Sequence, residues 1–300
     1  MNAYMELIDR LLNYCKNNSM VDGVLMIGSR ARKERPGDAY ADVDLAILVN
    51  DTKFFLASDE WLNEVGDVKI SFLERTFLSL NERRVLFDGG LDMDILILPV
   101  EMSKEILSSK LVVSILRKGY KILLDKTGML EKYTADLPKE STLSHPDEEE
   151  FLDTVKDFWY HLVWTMKKLQ RGELWAAKFC LDHYMKQKLL WMMECCMHTR
   201  KGLDYNTWYG GRFLEFWLDE DILEDLRSSF SDYSHADMLR ALTENTVLFR
   251  RLAKETAEAL SYEYPHDADK YAAKLIHTFT RQYQSPSDEN SMGNQGDINE

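Results

Sequence analysis

Three short apolar runs near the start of the 300-residue chain most constrain its fold. They occupy residues 24–27, 45–49 and 95–99, and each predicts a buried β-strand. Gly28 ends the first run, where a residue without Cβ lets the backbone turn sharply and approach a ligand closely. Ser29 follows with a hydroxyl and backbone amides that can donate to phosphate oxygens. The sequence therefore predicts a phosphate-binding turn at the end of the first strand.

Acidic residues precede the second and third runs. Asp42 and Asp44 stand where the second strand begins, and they share one face because side chains alternate along a strand. Two close carboxylates repel each other unless a cation lies between them, and hard oxygen ligands select Mg²⁺. Asp92 and Asp94 also share a face, and Asp94 directly precedes the more continuous apolar run. We therefore expect a metal site formed by Asp42, Asp44 and Asp94, although a single acidic pair at a strand start is equally typical of solvated edge residues.

The apolar pattern changes along the chain. Residues 1–135 mix helical and strand patterns, whereas the pattern from residue 146 onward is helical. We therefore predict an α+β protein, with a mixed sheet and flanking helices in residues 1–135 and an all-α helical bundle in residues 146–283. Residues 284–300 have little apolar surface to bury and predict a disordered tail.

The first helix of the predicted bundle carries polar and aromatic residues opposite its apolar stripe. The stripe comprises Phe151, Val155, Phe158, Leu162, Met166 and Leu169. From the helical repeat, Asp153, Asp157, Tyr160 and Trp164 fall on roughly the opposite face. This face either packs against another element or lines a cleft. Asp182, in the next helical run, is either structural or a group that binds a substrate amine or accepts a proton.

The net charge of −14 argues against a nucleic-acid partner, because proteins that track phosphates present basic surfaces. A cationic substrate fits better, although solubility alone also explains a negative charge. The four cysteines, two of them adjacent at Cys195 and Cys196, predict reduced core thiols, and the histidines lack zinc-ligand spacing. Acidic residues in the first helix argue against a signal peptide, and no apolar stretch is long enough to span a bilayer. These observations predict a cytoplasmic protein without a membrane partner.

The motifs at residues 28–30, 42–44 and 94 resemble those of the nucleotidyltransferase fold of antibiotic-modifying enzymes. More narrowly, the chain resembles the aminoglycoside 6-adenylyltransferases, the streptomycin adenylyltransferase family. The likeness continues through Glu60-Trp61-Leu62, Asp94-Ile95-Leu96-Ile97-Leu98-Pro99, Phe158-Trp159, Asp182-His183, Leu248-Phe249-Arg250 and Tyr262-Glu263-Tyr264-Pro265. The first motifs specify only the superfamily, whereas these distributed matches point to the narrower family.

The resemblance implies transfer of AMP from ATP to a hydroxyl of a streptomycin-like aminoglycoside, with release of pyrophosphate. It implies two Mg²⁺ ions, one held by Asp42 and Asp44 and a second that adds Asp94. The expected partners are thus a small cationic aminoglycoside and a nucleoside triphosphate, and the expected state is a monomer or weak homodimer.

Further roles follow from the same resemblance. Gly28 and Ser29 would hold the outgoing pyrophosphate, and Arg30 would neutralise phosphate charge. Asp94 is the first candidate for the general base and Asp182 the second.

The acceptor would lie on the first helix of the bundle. Asp153 and Asp157 would pair with its guanidinium or ammonium groups, and Tyr160 and Trp164 would support its sugar rings. Asp182 would contribute a further carboxylate.

One segment departs from the family pattern. Where Gly-Lys-x-x-Lys-Phe is expected, the chain has Trp208-Tyr209-Gly210-Gly211-Arg212-Phe213 and keeps only the second basic position. Streptomycin specificity is therefore open. Nucleotidyl transfer to another small molecule or to a protein, or nucleotide binding without catalysis, are the alternatives.

Overall fold

The computed structural model describes residues 3–76, 80–135, 137 and 144–284 of the chain. The chain divides into two compact units, Met1–Leu143 and Ser144–Glu300. The predicted tail lies almost entirely outside the described residues and stays a prediction.

Six strands of the first unit form one mixed sheet. Their bounds are β1 Val21–Ile27, β2 Val43–Val49, β3 Val68–Arg75, β4 Asn81–Phe87, β5 Leu91–Pro99 and β6 Lys121–Asp125. The order across the sheet is β3-β4-β5-β2-β1-β6, with β2 and β5 parallel and the other neighbours antiparallel. The three apolar runs thus become adjacent strands at the centre of the sheet, where burial on both faces explains why they lack polar alternation.

Helices cover both faces of this sheet. They are α1 Ala3–Asn17, α2 Thr52–Ala57, α3 Val100–Leu107, α4 Lys110–Lys118 and α5 Met129–Ala135. On one face, Leu7 and Leu11 of α1 join the core formed by the odd-numbered residues of β2 and β5. On the other face, Leu48 and Leu98 belong to a second core. Asp44 and Asp94 lie on that second face, but at the opposite ends of the same two strands. The apolar layer therefore gives way to carboxylates where β2 and β5 begin.

The second unit is helical, as predicted. Its helices are α6 Glu148–Gln170, α7 Leu174–Phe179, α8 Met185–Lys201, α9 Leu214–Trp217, α10 Glu220–Ser228, α11 His235–Leu260 and α12 His266–Gln284. Asp147 caps α6 by accepting a hydrogen bond from the Glu150 amide at 2.9 Å. The predicted apolar stripe of α6 is buried, and the rings of Phe158 and Phe249 stack with centroids 3.6 Å apart. Packing of α6 on α11 therefore forms the centre of this core.

One buried ion pair joins the last two helices. Asp269 of α12 is 5% exposed and lies 2.6 Å from the Arg250 guanidinium of α11. The Tyr264 hydroxyl also donates to Asp269, at 2.9 Å. These bonds satisfy a carboxylate that would otherwise be costly to bury.

Two further expectations concern the cysteines and membrane-spanning helices. All four cysteines are buried and free, which confirms the prediction of core thiols. Among the helices of the described residues, none combines the length and apolar character needed to cross a bilayer.

Candidate active site

Three carboxylates converge where β2 and β5 begin. Asp44 and Asp94 are direct partners in the parallel ladder, so their side chains project from the same face at neighbouring positions. Asp42 lies one residue before β2. One carboxylate oxygen from each of the three residues lies within 4.8 Å of the others. Hard oxygen donors this close together suit Mg²⁺ or a similar cation.

The turn after β1 approaches one of these carboxylates closely. Gly28 has a φ of +69°, and a Cβ at this position would lie 1.8 Å from Oδ2 of Asp44. Only glycine therefore allows this turn and this carboxylate to coexist. The adjacent Ser29 hydroxyl is buried and has no hydrogen-bond partner among the described residues. A buried orphaned hydroxyl beside a carboxylate cluster fits a missing acceptor such as a phosphate oxygen.

Arg30 has a different position from the one expected of a phosphate ligand. Its guanidinium donates to the carbonyls of Ala41 at 2.6 Å and Asp42 at 3.0 Å, and it lies 3.9 Å from the ring centroid of Tyr4. These contacts fix the backbone just before β2. In the structure Arg30 thus positions the carboxylate of Asp42 through its main chain, and a direct phosphate contact stays a prediction.

The two acidic residues of β5, Asp92 and Asp94, have different hydrogen-bond partners. The Tyr4 hydroxyl donates to Oδ1 of Asp92 at 2.7 Å. Asp92 is therefore engaged by α1, whereas Asp94 is the member that joins the cluster. In the sequence, Asp94 was preferred to Asp92 only because it directly precedes the more continuous apolar run.

Arg84 is a charged neighbour of the site that the sequence analysis missed. It is the direct partner of Asp94 in the antiparallel ladder of β4 and β5, and its Nη1 donates to Oδ2 of Asp94. The same guanidinium lies 2.6 Å from Glu74 and 3.3 Å from Glu82. Burial raises the pKa of Asp94, Arg84 opposes that rise and Asp42 adds to it, so the net pKa lies above the usual range. The sequence did contain a signal for the neighbouring strand β3, because Val68, Ile70 and Phe72 alternate with polar residues.

In the second unit, the polar face of α6 is largely exposed, but the charge of one of its carboxylates is balanced by a lysine. Asp153 and Tyr160 are exposed, and Trp164 is half-buried. Asp157 lies 2.7 Å from Lys188, and it accepts from the Tyr184 hydroxyl at 2.8 Å. Burial raises the pKa of Asp157, but these bonds outweigh it and the net pKa is lowered.

His161 is a further partner of that carboxylate. Its Nδ1 lies 2.6 Å from Oδ1 of Asp157. The pKa of the Tyr184 phenol rises to about 12 because it donates to the same carboxylate. Asp157 is therefore ionised and already surrounded by donors.

Asp182 lines a small cavity with exposed aromatic walls. The cavity has a volume of about 210 Å³ and is bordered by Trp175, Lys178, Phe179, Asp182 and His183. Trp175 and Phe179 are 75% and 58% exposed. A π-helical turn, Cys180–Tyr184, inserts here between α7 and α8, and such turns are frequent at functional sites. Oδ2 of Asp182 forms an ion pair with Lys178, so this carboxylate also has a resident cation.

Backbone strain marks the segment that departs from the family pattern. Trp208 and Phe213 have φ values of 54° and 55°, which are rare for bulky residues, and Gly210 and Gly211 between them are also left-handed. Strained segments of this kind concentrate at functional sites. Arg212 lies within the segment, and its role stays a prediction.

A mixed sheet with a carboxylate triad beside a Gly-Ser turn is typical of nucleotidyltransferases. The chain matches the model of the streptomycin adenylyltransferase family over residues 1–279. It therefore belongs to that family, it is an enzyme of the nucleotidyltransferase class, and the resemblance read from its motifs is confirmed.

Two curated proteins named aminoglycoside 6-adenylyltransferase are similar over nearly their whole length. The one from Bacillus subtilis (strain 168) is 25% identical over 275 residues, which cover 88% of this chain and 94% of that protein. The one from Campylobacter jejuni is 26% identical over 287 residues, which cover 92% and 96%.

Two solved structures are also similar. A crystal structure of an aminoglycoside 6-adenyltransferase from Bacillus subtilis aligns with a TM-score of 0.47 and 21% identity, over 91% of this chain and 97% of the other. A nucleotidyltransferase-like protein from Exiguobacterium sibiricum aligns with a TM-score of 0.34 and 13% identity, over 96% of each chain.

Proposed function

We propose that this protein transfers AMP from ATP to a hydroxyl of a streptomycin-like aminoglycoside and releases pyrophosphate. The observation that carries the proposal is the cluster of Asp42, Asp44 and Asp94 beside the unpartnered Ser29 hydroxyl. The names of the two curated relatives support an aminoglycoside as the acceptor.

In this reaction the acceptor oxygen bonds to the α-phosphorus while the bond to the pyrophosphate oxygen breaks. The Ser29 hydroxyl and the amides of its turn bind the phosphate oxygens of the leaving group. Asp42, Asp44 and Asp94 would hold two Mg²⁺ ions, which when bound supply charge neutralisation and a more acidic acceptor hydroxyl. The hydroxyl proton passes to a carboxylate, with Asp94 as the first candidate and Asp182 as the second.

Acceptor binding is assigned to the carboxylates and rings of the second unit. Trp175 and Phe179 offer exposed ring faces next to Asp182, and rings of this kind support sugar faces and attract cations. Asp182 and Asp157 each pair with a lysine in the structure. A bound guanidinium would therefore replace a lysine as the partner of each carboxylate.

The second candidate function keeps the chemistry and changes the acceptor. The observation that favours it is the segment 208–213, where the expected lysine is absent and the backbone is strained. A lincosamide, another metabolite or a protein would then receive the nucleotide.

The test is a panel of acceptors and nucleotides with mass detection of the product. We expect pyrophosphate release that requires ATP, Mg²⁺ and an aminoglycoside, with the mass of an added AMP on streptomycin. Transfer to a different acceptor class selects the second candidate. Nucleotide binding without any transfer contradicts both.

A matched pair of variants tests the carboxylate assignment. Asp44→Asn should abolish turnover while the fold persists. Asp88→Asn removes an equal charge from the exposed turn between β4 and β5 and should leave turnover unchanged. Equal turnover of the two variants contradicts the assignment.

A further inference from the structure

One row of side chains runs across the sheet through the carboxylate cluster. The ladder pairs Phe72 with Arg84, Arg84 with Asp94, and Asp94 with Asp44. Residues directly opposite each other project from the same face of a sheet. Phe72, on the edge strand β3, therefore faces the same side as the catalytic carboxylates.

This part of the face is open. Ile70 and Phe72 are 56% and 52% exposed, and neither belongs to an apolar core cluster of the described residues. The next even position of β3, Glu74, has a side chain that is 51% exposed. We call these three residues the β3 platform. Ile70 and Phe72 are consecutive on this face, and contiguous exposed apolar patches, unlike single exposed residues, mark interaction or ligand-binding sites.

The order of strands determines where the platform lies relative to the carboxylates and the phosphate-binding turn. Neighbouring strands lie about 4.8 Å apart, so the Phe72 backbone is roughly 10 Å from that of Asp94. Ser29 follows β1, which lies on the other side of β2 and β5. The carboxylates thus lie between the phosphate-binding turn and the platform. In an in-line transfer the acceptor oxygen attacks the phosphorus from the side opposite the leaving pyrophosphate, so the acceptor belongs on the platform side.

Charge indicates the chemistry of that ligand. Arg84 lies beside the platform, and its guanidinium is already shared among Glu74, Glu82 and Asp94. Three carboxylates therefore surround one guanidinium at the position paired with Phe72. A ring flanked by carboxylates attracts a cationic group and supports a sugar face.

We propose that the β3 platform is an acceptor-binding surface of the first unit, with Phe72 under a cationic sugar ring and Glu74 beside its charged groups. The proposal rests on the proposed function, because it takes the acceptor to be an aminoglycoside. It identifies Phe72 as a specificity-determining residue for that reaction.

The chain provides a matched control for Phe72. Leu73 is the next residue on the same exposed strand and is 42% exposed, but it faces the opposite side of the sheet. Phe72→Ala, Phe72→Tyr and Leu73→Ala should all fold, since each position is largely open to solvent, and thermal unfolding checks this.

Steady-state kinetics with ATP and streptomycin test the proposal. Phe72→Ala should raise the KM for streptomycin by about tenfold, as expected for the loss of one cation–π and stacking contact, with kcat and the KM for ATP within about twofold. Phe72→Tyr keeps the ring and should restore the KM, and Leu73→Ala should leave it unchanged. Calorimetric titration of streptomycin without ATP should show the same order of affinities.

The outcomes separate this proposal from the one it rests on. If the wild-type chain adenylylates no aminoglycoside, the proposed function fails and the platform proposal fails with it. If the wild-type chain is active but Phe72→Ala behaves like Leu73→Ala, the platform proposal alone is wrong. A rise in the KM for ATP instead would make Phe72 a wall of the nucleotide site and would also refute it.

Discussion

Replacement of Gly28 by alanine tests whether the turn after β1 and the carboxylate of Asp44 depend on each other. The added Cβ would lie 1.8 Å from Oδ2 of Asp44, whereas ordinary contact begins at 3.4 Å. The carboxylate must therefore move by more than 1 Å, because the turn is part of the backbone that leaves β1. Metal–ligand distances tolerate only about 0.2 Å.

The magnitude follows from this displacement. Misplacement of a reacting group by about 1 Å costs on the order of 100-fold in rate. We therefore expect kcat/KM of Gly28→Ala to fall by at least about 100-fold, which is about 2.7 kcal/mol of transition-state stabilisation. The left-handed φ adds a separate loss of stability of about 1–2 kcal/mol.

Gly90 provides the control for that second effect. It has a φ of +71°, close to the +69° of Gly28, and a Cβ there meets nothing within 4 Å. Gly90→Ala should therefore lose similar stability from strain and keep its activity. The assays are urea unfolding and pyrophosphate release for both variants. If Gly28→Ala keeps activity within about threefold of Gly90→Ala, the dependence of Asp44 on this turn is refuted.

Three further predictions follow from charged groups. Arg84→Met removes a positive charge beside the carboxylate triad, so Mn²⁺ binding measured by electron paramagnetic resonance should tighten by about threefold to tenfold; unchanged binding would make Arg84 purely structural. Burial lowers the pKa of Lys186 to about 8. Between pH 8 and about 10.5 this lysine is protonated only in the unfolded chain, so the free energy of unfolding should rise with pH by at most about 3 kcal/mol. Lys186→Met should abolish that rise in urea unfolding. Asp269→Asn breaks the buried pair with Arg250 and should cost about 3–5 kcal/mol in urea unfolding, whereas the exposed Asp267→Asn should cost less than about 0.5 kcal/mol.

The centre of the site was predictable because local pattern determines it. The apolar runs predicted β1, β2 and β5, and alternation along β2 put Asp42 and Asp44 on one face. The sequence favoured Asp94 over Asp92 only through the continuity of the apolar run after it, whereas the structure separates them by contacts, because Tyr4 donates to Asp92 and Arg84 donates to Asp94. Long-range pairing of this kind leaves no periodic signal in the chain.

The missed residues belong to β3 and β4, the two strands at one edge of the sheet. In β3 the alternating residues Ile70 and Phe72 are exposed rather than buried, so hydrophobic periodicity was a poor guide to what the strand does. Arg84 follows Glu82 and Arg83 in β4, and its importance comes from its register with Asp94. Register depends on pairing between strands, which the sequence analysis did not predict for this edge.

The lysine partners of Asp157 and Asp182 bear on how a cationic acceptor would bind. Exchange of a lysine for a guanidinium replaces one ion pair by another, so the net gain from charge alone is small. The gain must come from geometry, because a guanidinium binds a carboxylate with two parallel hydrogen bonds whereas an ammonium is a point charge. Exposed rings such as Trp175 then add contact area that the lysine does not use. Under the proposed function, the net charge of −14 therefore steers cationic acceptors towards the protein, while ring contacts and guanidinium geometry select among them.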